Sequence, residues 1–216
     1  MQALFGPPTV TYCEEAGDSF IRRPWYALSN LAFVIAAYVI YKTEQTPLAR
    51  QFAVITLLVG VLSFIYDASY TYLSQLFDLS GMLLFISFLL WLNLKSLAPE
   101  RTILPSLILT SIGAIAVIIC FGSYTGNIVF GIYILGVIFT EWLLLKKKVH
   151  QHGRTWVLTV LLFATGFAIW LLDASKLVCF DFGLLNGRSI FHYVSAFVMY
   201  RMFMFYRVQA ILDTRQ

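Results

Sequence analysis

The chain has 216 residues, of which 60% are hydrophobic and 12% carry a charge. Soluble domains carry a charge on roughly 25% of their residues. This composition, with a mean hydropathy of +0.80, therefore excludes a water-soluble protein. The net charge of +4 does not indicate a nucleic-acid-binding protein, because most basic residues lie in short segments between apolar runs.

Seven apolar segments follow one another along the chain, each long enough to cross a bilayer as a helix. We expect these spans at residues 25–43, 48–72, 77–95, 102–121, 126–146, 154–176 and 186–210. A membrane β-barrel would instead show alternating segments of about 10 residues. The sequence therefore predicts an all-α membrane protein, a seven-transmembrane-helix bundle that forms a single domain over residues 1–216. The first residues lack a basic start followed by an apolar core, so we expect no cleavable signal peptide.

The basic residues predict the orientation of this integral, multi-pass membrane protein. Ten of them lie in or at the edges of the connections between spans 1 and 2, 3 and 4, and 5 and 6, or in the tail from Arg207, whereas four lie on the opposite side. The ten are Lys42, Arg50, Lys95, Arg101, Lys146, Lys147, Lys148, Arg154, Arg207 and Arg215. Because cytoplasmic loops are enriched in lysine and arginine, we expect the N-terminus outside and the C-terminus in the cytoplasm.

Polar and ionisable residues interrupt three of the predicted spans. Ser63 and Asp67 are four residues apart, as are Arg188 and His192, so each pair shares one helix face. Asp78 lies at the predicted start of span 3. On this topology all five lie towards the outer ends of their spans, and ionisable groups at membrane depth are costly and usually functional. We therefore predict one polar constellation, with capping of span 3 as the alternative role for Asp78.

Two of the three cysteines, Cys13 and Cys179, fall on the predicted outer face, whereas Cys120 lies inside span 4. An oxidising outer compartment permits a disulfide between the first two. We predict that bridge, and the alternative is a pair of free thiols on loops.

Motifs spread over most of the chain resemble those of the alkaline ceramidase family. This family is part of a group of seven-helix membrane hydrolases that includes the adiponectin receptors. The resemblance rests on Cys13-Glu14, Ile21-Arg-Arg-Pro24, Ser29-Asn30-Leu-Ala-Phe33, the spacing Ser63-x3-Asp67-x10-Asp78, Trp170-Leu-Leu-Asp173, Cys179, and Gly187-x4-His192.

The resemblance implies three histidines that bind zinc, with Ser63 and Asp78 beside the metal. It also implies that a zinc-bound water hydrolyses the amide bond of ceramide or a similar lipid. Ser63, Asp78 and His192 are then the candidate catalytic residues, and His192 is also the one candidate metal ligand that remains. The other two ligand positions hold Asp67 and Arg188.

Arg188 argues against zinc, because a guanidinium offers no lone pair and stays protonated. A carboxylate and a guanidinium facing each other form a salt bridge instead, so we expect Asp67 and Arg188 to join spans 2 and 7. The family's calcium site is also altered, since Ala16 and Arg23 fall near positions expected to bind metal. We therefore expect no calcium, with Glu14, Glu15 and Asp18 as solvated carboxylates and weak binding of a cation by them as the alternative.

The leading hypothesis is a ceramidase-like hydrolase scaffold that holds a ceramide-like lipid amide in an outer-leaflet pocket. The resemblance implies zinc hydrolysis, but the two altered ligand positions argue against it. The alternative is a non-catalytic lipid-binding or sensing protein on the same fold.

A transporter is a third class, with Asp67, Asp78, Asp173 and Glu141 as a relay, but no broken-helix repeat supports it. For Asp173 and Glu141 we otherwise expect packing against polar partners. For His150 and His152, beside the lysines, we expect a solvated loop.

Overall fold

The computed structural model describes residues 4–98, 112, 122–179 and 183–213. These residues form helices and connections and contain no strand, so the predicted all-α class is confirmed for this part of the chain. The helices are α1 (Pro24–Ser29), α2 (Leu31–Thr43), α3 (Pro47–Ser69), α4 (Tyr72–Leu97), α5 (Ser123–Lys146), α6 (Gly153–Ala174) and α7 (Gly187–Asp213), with one 3₁₀ turn at Gly183–Leu185.

Five helical segments in the described part are long and apolar enough to cross a membrane. They are Pro24–Thr43, Pro47–Ser69, Tyr72–Leu97, Tyr124–Lys146 and Gly153–Ala174. Helix α7 is not among them, and it carries Arg188, Arg201 and Arg207. The span predicted at 102–121 lies outside the described residues except for position 112. The count of seven spans and the orientation of the termini therefore stay predictions.

The boundary between the second and third predicted spans was wrong by several residues. Helix α3 ends at Ser69, Tyr70 takes a left-handed conformation with φ of 49°, and α4 begins at Tyr72. Thr71 and Ser74 cap α4 reciprocally, because each side-chain oxygen accepts the other residue's backbone N–H, at 3.3 and 3.1 Å. Asp78 lies inside α4, so the alternative in which it caps this helix is wrong.

The chain divides into two compact units, one formed by residues 1–75 and 154–216 and the other by Leu76–Gly153. In the first unit, α2 packs against α3 and α7. Gly60 permits the close approach of α2 and α3, since a Cβ at this position would lie 2.6 Å from Phe33 Cβ.

Residues 4–23, here called the N-terminal segment, precede α1 without regular helix and also belong to the first unit. Gly6 O accepts a hydrogen bond from Tyr72 N at 2.9 Å, and Thr9 N donates to Gln75 Oε1 at 2.8 Å. Cys13 forms a disulfide with Cys179, which confirms the predicted bridge and excludes the free-thiol alternative. The N-terminal segment is therefore held both by hydrogen bonds and covalently.

The second unit contains a buried hydrogen-bonded pair of an acidic and an imidazole side chain, only part of which was predicted. Glu141 on α5 is buried against a polar partner, as expected, and that partner is His150, whose Nδ1 lies 2.9 Å from Glu141 Oε1. The expectation of a solvated loop was wrong for His150, which is 3% exposed, and correct for the exposed His152. The local cause is the turn after Lys147, where His150 N donates to Leu144 O and brings the imidazole back to α5.

Candidate functional site

Asp67, in the last turn of α3, is the acceptor at the centre of a buried cluster. Its side chain is 0% exposed. Oδ1 accepts hydrogen bonds from Arg188 Nε and from Arg23 Nη2, both at 2.9 Å, and Oδ2 accepts one from Asn30 Nδ2 at 3.0 Å. The structure therefore places Asp67 beside Arg188, the partner that the sequence suggested, and adds a second arginine that it did not.

Arg23 is buried completely, although its sequence neighbour Arg22 is exposed. Its guanidinium carbon lies 3.9–5.2 Å from the centroids of four tyrosine rings, those of Tyr70, Tyr12, Tyr66 and Tyr26. Its Nε and Nη1 have no hydrogen-bond partner within the described part of the chain. The faces of the four rings therefore provide the surroundings for the part of the charge that does not contact Asp67.

Arg188 lies in the first turn of α7, which Asn186 caps by accepting the N–H of Ser189 at 2.8 Å. The backbone N–H of Arg188 donates to Asp173 Oδ2 at 2.6 Å. Its side chain donates from Nη1 to the hydroxyl of Tyr12 at 2.8 Å, in addition to the bond from Nε to Asp67. The side chain is 3% exposed, so its charge is satisfied within the protein.

Asp173 is the second buried carboxylate, near the end of α6, and it packs against polar partners as expected. Oδ1 accepts from Cys13 N at 2.9 Å and from Tyr26 Oη at 2.8 Å. Gly187 leaves the space that this arrangement needs, because a Cβ there would lie 2.7 Å from Asp173 Cβ. Asp173 therefore joins the N-terminal segment, α1, α6 and the start of α7.

His192 lies one turn after Arg188 and is 2% exposed. Its Nδ1 is 2.7 Å from Ser29 Oγ, and that hydroxyl is also 2.7 Å from the carbonyl oxygen of Tyr26. A carbonyl can only accept, so we assign the Ser29 hydrogen to Tyr26 O and the Nδ1 hydrogen to the bond with Ser29. The other nitrogen, Nε2, lies 3.9 Å from Asp67 Oδ2.

The remaining candidate catalytic residues, Ser63 and Asp78, lie on different helices. Ser63 is buried on α3, one turn before Asp67, in the first unit. Asp78 is buried on α4, in the second unit. Their catalytic roles stay predictions.

Glu14 is not the solvated carboxylate that the sequence suggested. Its Oε1 accepts the N–H of Trp25 at 3.0 Å and its Oε2 accepts the N–H of Tyr26 at 2.9 Å, so it caps the start of α1. The side chain is half-buried, and this burial raises the pKa of the Glu14 carboxyl. Glu15 and Asp18 are exposed, as expected.

The donor set around His192 does not fit a zinc ion. Both oxygens of Asp67 already accept hydrogen bonds, and Arg188 cannot act as a ligand. Two guanidinium groups within 2.9 Å of Asp67 would also repel a divalent cation. No group of three His, Cys, Asp or Glu side chains able to hold a metal occurs in the described ranges.

Comparison with known proteins identifies the chain through its sequence as a whole. A family model described as "Ceramidase" matches residues 8–215, which is nearly the entire chain. No curated protein matches it. Because the match extends from the N-terminal segment through α7, the chain belongs to the ceramidase family.

Proposed function

We propose that the protein is an integral membrane protein that binds a ceramide-like lipid amide between its helices without hydrolysing it through zinc. The ceramidase-family match and the five apolar helices support a membrane protein with a lipid ligand. The observation that carries the proposal is the sharing of Asp67 Oδ1 between Arg23 and Arg188, each at 2.9 Å.

This arrangement argues against the hydrolytic reaction for a chemical reason. Zinc hydrolases use the metal to lower the pKa of a bound water and so create a nucleophile at neutral pH. Here Asp67 is held by cationic donors, Arg188 has no free lone pair, and His192 is the one imidazole of the cluster. These contacts argue against metal-assisted hydrolysis at this cluster.

The hydrolase alternative gives Ser63, Asp78 and His192 catalytic roles, and one preparation tests both hypotheses. The full-length protein is purified in detergent, its zinc is measured by mass spectrometry, and it is then incubated with ceramide while free sphingoid base is assayed. We expect substoichiometric zinc and no release above that of a His192→Ala variant. Stoichiometric zinc that is lost in His192→Ala, together with amide hydrolysis, would establish the enzyme.

Lipid binding needs a readout that does not depend on catalysis. A fluorescent ceramide bound to the same protein should be displaced by unlabelled ceramide. An equimolar mixture of fatty acid and sphingoid base, which lacks the amide, should displace it much less. Equal displacement by both would reject recognition of a lipid amide.

A further inference from the structure

We infer that Arg23 and Arg188 together take the place of a divalent cation as the positive partner of Asp67. We also infer that Arg23 by itself is sufficient to keep a metal ion out of this cluster. The sequence motifs draw attention to Arg188, because it occupies a position where the family resemblance places a ligand. Arg23 comes from outside that set, and its role follows from its contacts.

Arg23 is held in place by main-chain hydrogen bonds as well as by its side-chain contacts. Its backbone N–H donates to Asp67 O at 3.3 Å, and the N–H of Arg22 donates to Ala68 O at 2.9 Å. The main chain before α1 is thus bonded to the last turn of α3. The Arg23 side chain starts beside Asp67, its guanidinium contacts four tyrosine rings, and it is buried completely.

The cluster brings two buried positive charges together with buried carboxylates. Two guanidinium groups carry the same formal charge as one divalent cation, and both contact a single carboxylate oxygen. Asp67 accepts hydrogen bonds from both guanidinium groups, and Asp173 is a second buried carboxylate of the cluster that accepts the backbone N–H of Arg188. A divalent ion added beside Asp67 would therefore meet two fixed positive charges that already bind this carboxylate.

The cluster joins three parts of the first unit. Arg23 is the last residue of the N-terminal segment, Asp67 lies in the last turn of α3, and Arg188 lies in the first turn of α7. These three parts of the first unit meet at one carboxylate through fixed charges that belong to the chain. The connection therefore needs no metal, and chelation should not weaken it.

The role of Arg23 can be distinguished from that of Arg188 by restoring the histidines of the family's metal site. Replacing Asp67 and Arg188 by histidine would produce three imidazoles together with His192, but it would leave Arg23 0% exposed and without its anion. The unpaired positive charge of Arg23, next to the new imidazole at position 67, opposes both zinc binding and folding. Restoring a metal site therefore also requires removing the charge of Arg23.

The zinc content of full-length variants tests whether the charge of Arg23 must be removed before zinc can bind. The double variant Asp67→His/Arg188→His should bind little zinc after equilibration with the ion, whereas adding Arg23→Gln should raise the content to about one zinc per chain. Adding Arg22→Gln instead is the matched control, because Arg22 is the exposed neighbour, and it should leave the content low. Equal zinc binding by the double variant and the Arg23→Gln triple variant would overturn the role of Arg23, as would a folded triple variant without zinc.

Thermal unfolding of single variants that keep Asp67 gives a second test. This test does not require the histidine variants to fold. Arg23→Gln and Arg188→Gln should each lower Tm by about 10 °C, since each removes one of the two buried guanidinium groups from which Asp67 Oδ1 accepts hydrogen bonds and leaves the buried carboxylates with less compensating charge. Arg22→Gln should leave Tm unchanged, and so should a zinc chelator added to the wild type. A Tm for Arg23→Gln equal to that of Arg22→Gln, or a chelator-dependent fall in the wild type, would contradict the inference. None of these outcomes depends on lipid binding.

Discussion

Glu14 caps a helix from ten residues upstream because α1 has no local cap. Pro24 begins α1 and has no N–H, and the side chain of Arg23 makes no capping bond. The next two donors, Trp25 N and Tyr26 N, are bound by the two oxygens of Glu14. Burial raises the pKa of this carboxyl, and the two backbone hydrogen bonds offset part of that rise by favouring the charged form.

The raised pKa of Glu14 predicts how it affects stability as the pH changes. The folded state binds this proton more tightly than the unfolded chain, so the linked stabilisation is present at low pH and is lost as the pH rises through the folded pKa. The Tm of the wild type minus that of Glu14→Gln should therefore decrease from about pH 4 to about pH 7. Glu15→Gln, at an exposed neighbour, should show a smaller change. A difference that instead grows with pH would show that the hydrogen bonds outweigh burial.

Individual residues also show where the sequence stops being informative. The sequence suggested that Asp67 and Arg188 would face each other, because both stand at positions where the resemblance expects ligands. The sequence singled out Arg23 only as an altered position of the family's calcium site, and the main-chain bonds that hold Arg22 and Arg23 against α3 come from residues 67 and 68, far along the chain. Contacts of this kind depend on how α1 meets α3, which periodicity and composition do not encode.

At the scale of helices, the contact between α2 and α3 depends on the absence of a side chain at Gly60. Gly60→Ala would place a Cβ against Phe33 Cβ. Because Phe33 Cβ is bonded directly to the backbone of α2, no rotation of the side chain can move it away. We expect a loss of about 1–3 kcal/mol, measured as a lower Tm in detergent.

Gly131 on α5 provides the matched control for this prediction. A Cβ at Gly131 meets nothing within 4 Å, so Gly131→Ala should be neutral or slightly stabilising, because alanine is the better helix former by about 1 kcal/mol. Equal Tm values for the two variants would mean that α2 and α3 separate easily and that Gly60 has no packing role.

Helix positions were more predictable than helix ends. Apolar runs located α3, α5 and α6 to within a few residues, because burial in a bilayer demands continuous hydrophobicity. The start of α4 was missed, since Thr71 falls within the predicted second span, 48–72, and Ser74 falls in the predicted connection before residue 77. A capping pair of hydroxyl residues therefore separates two helices where hydropathy does not.

At the scale of the molecule, two connections hold the N-terminal segment to the rest of the first unit. The Cys13–Cys179 disulfide joins it to the connection after α6, and Arg23 joins its end to α3 through Asp67. Tyr12 lies between these two points, and its hydroxyl accepts a hydrogen bond from Arg188 Nη1 while its ring faces the Arg188 guanidinium. Ordering of this segment is thus coupled to the buried charges, and loss of either connection should be felt at the other.

The last prediction concerns how the whole chain is placed in the membrane. Five described segments are able to cross it, and seven crossings follow if residues 102–121 and α7 also do so, as their sequence predicts. An odd number of crossings puts the termini in opposite compartments, and the excess of lysine and arginine after spans 1, 3, 5 and 7 puts the C-terminus in the cytoplasm. Reporter fusions at Thr9 and Arg215 should therefore give an external and a cytoplasmic signal, and a fusion at Lys148 should match Arg215. Signals from one compartment at both termini would require an even number of crossings and would leave either α7 or residues 102–121 on one side of the membrane.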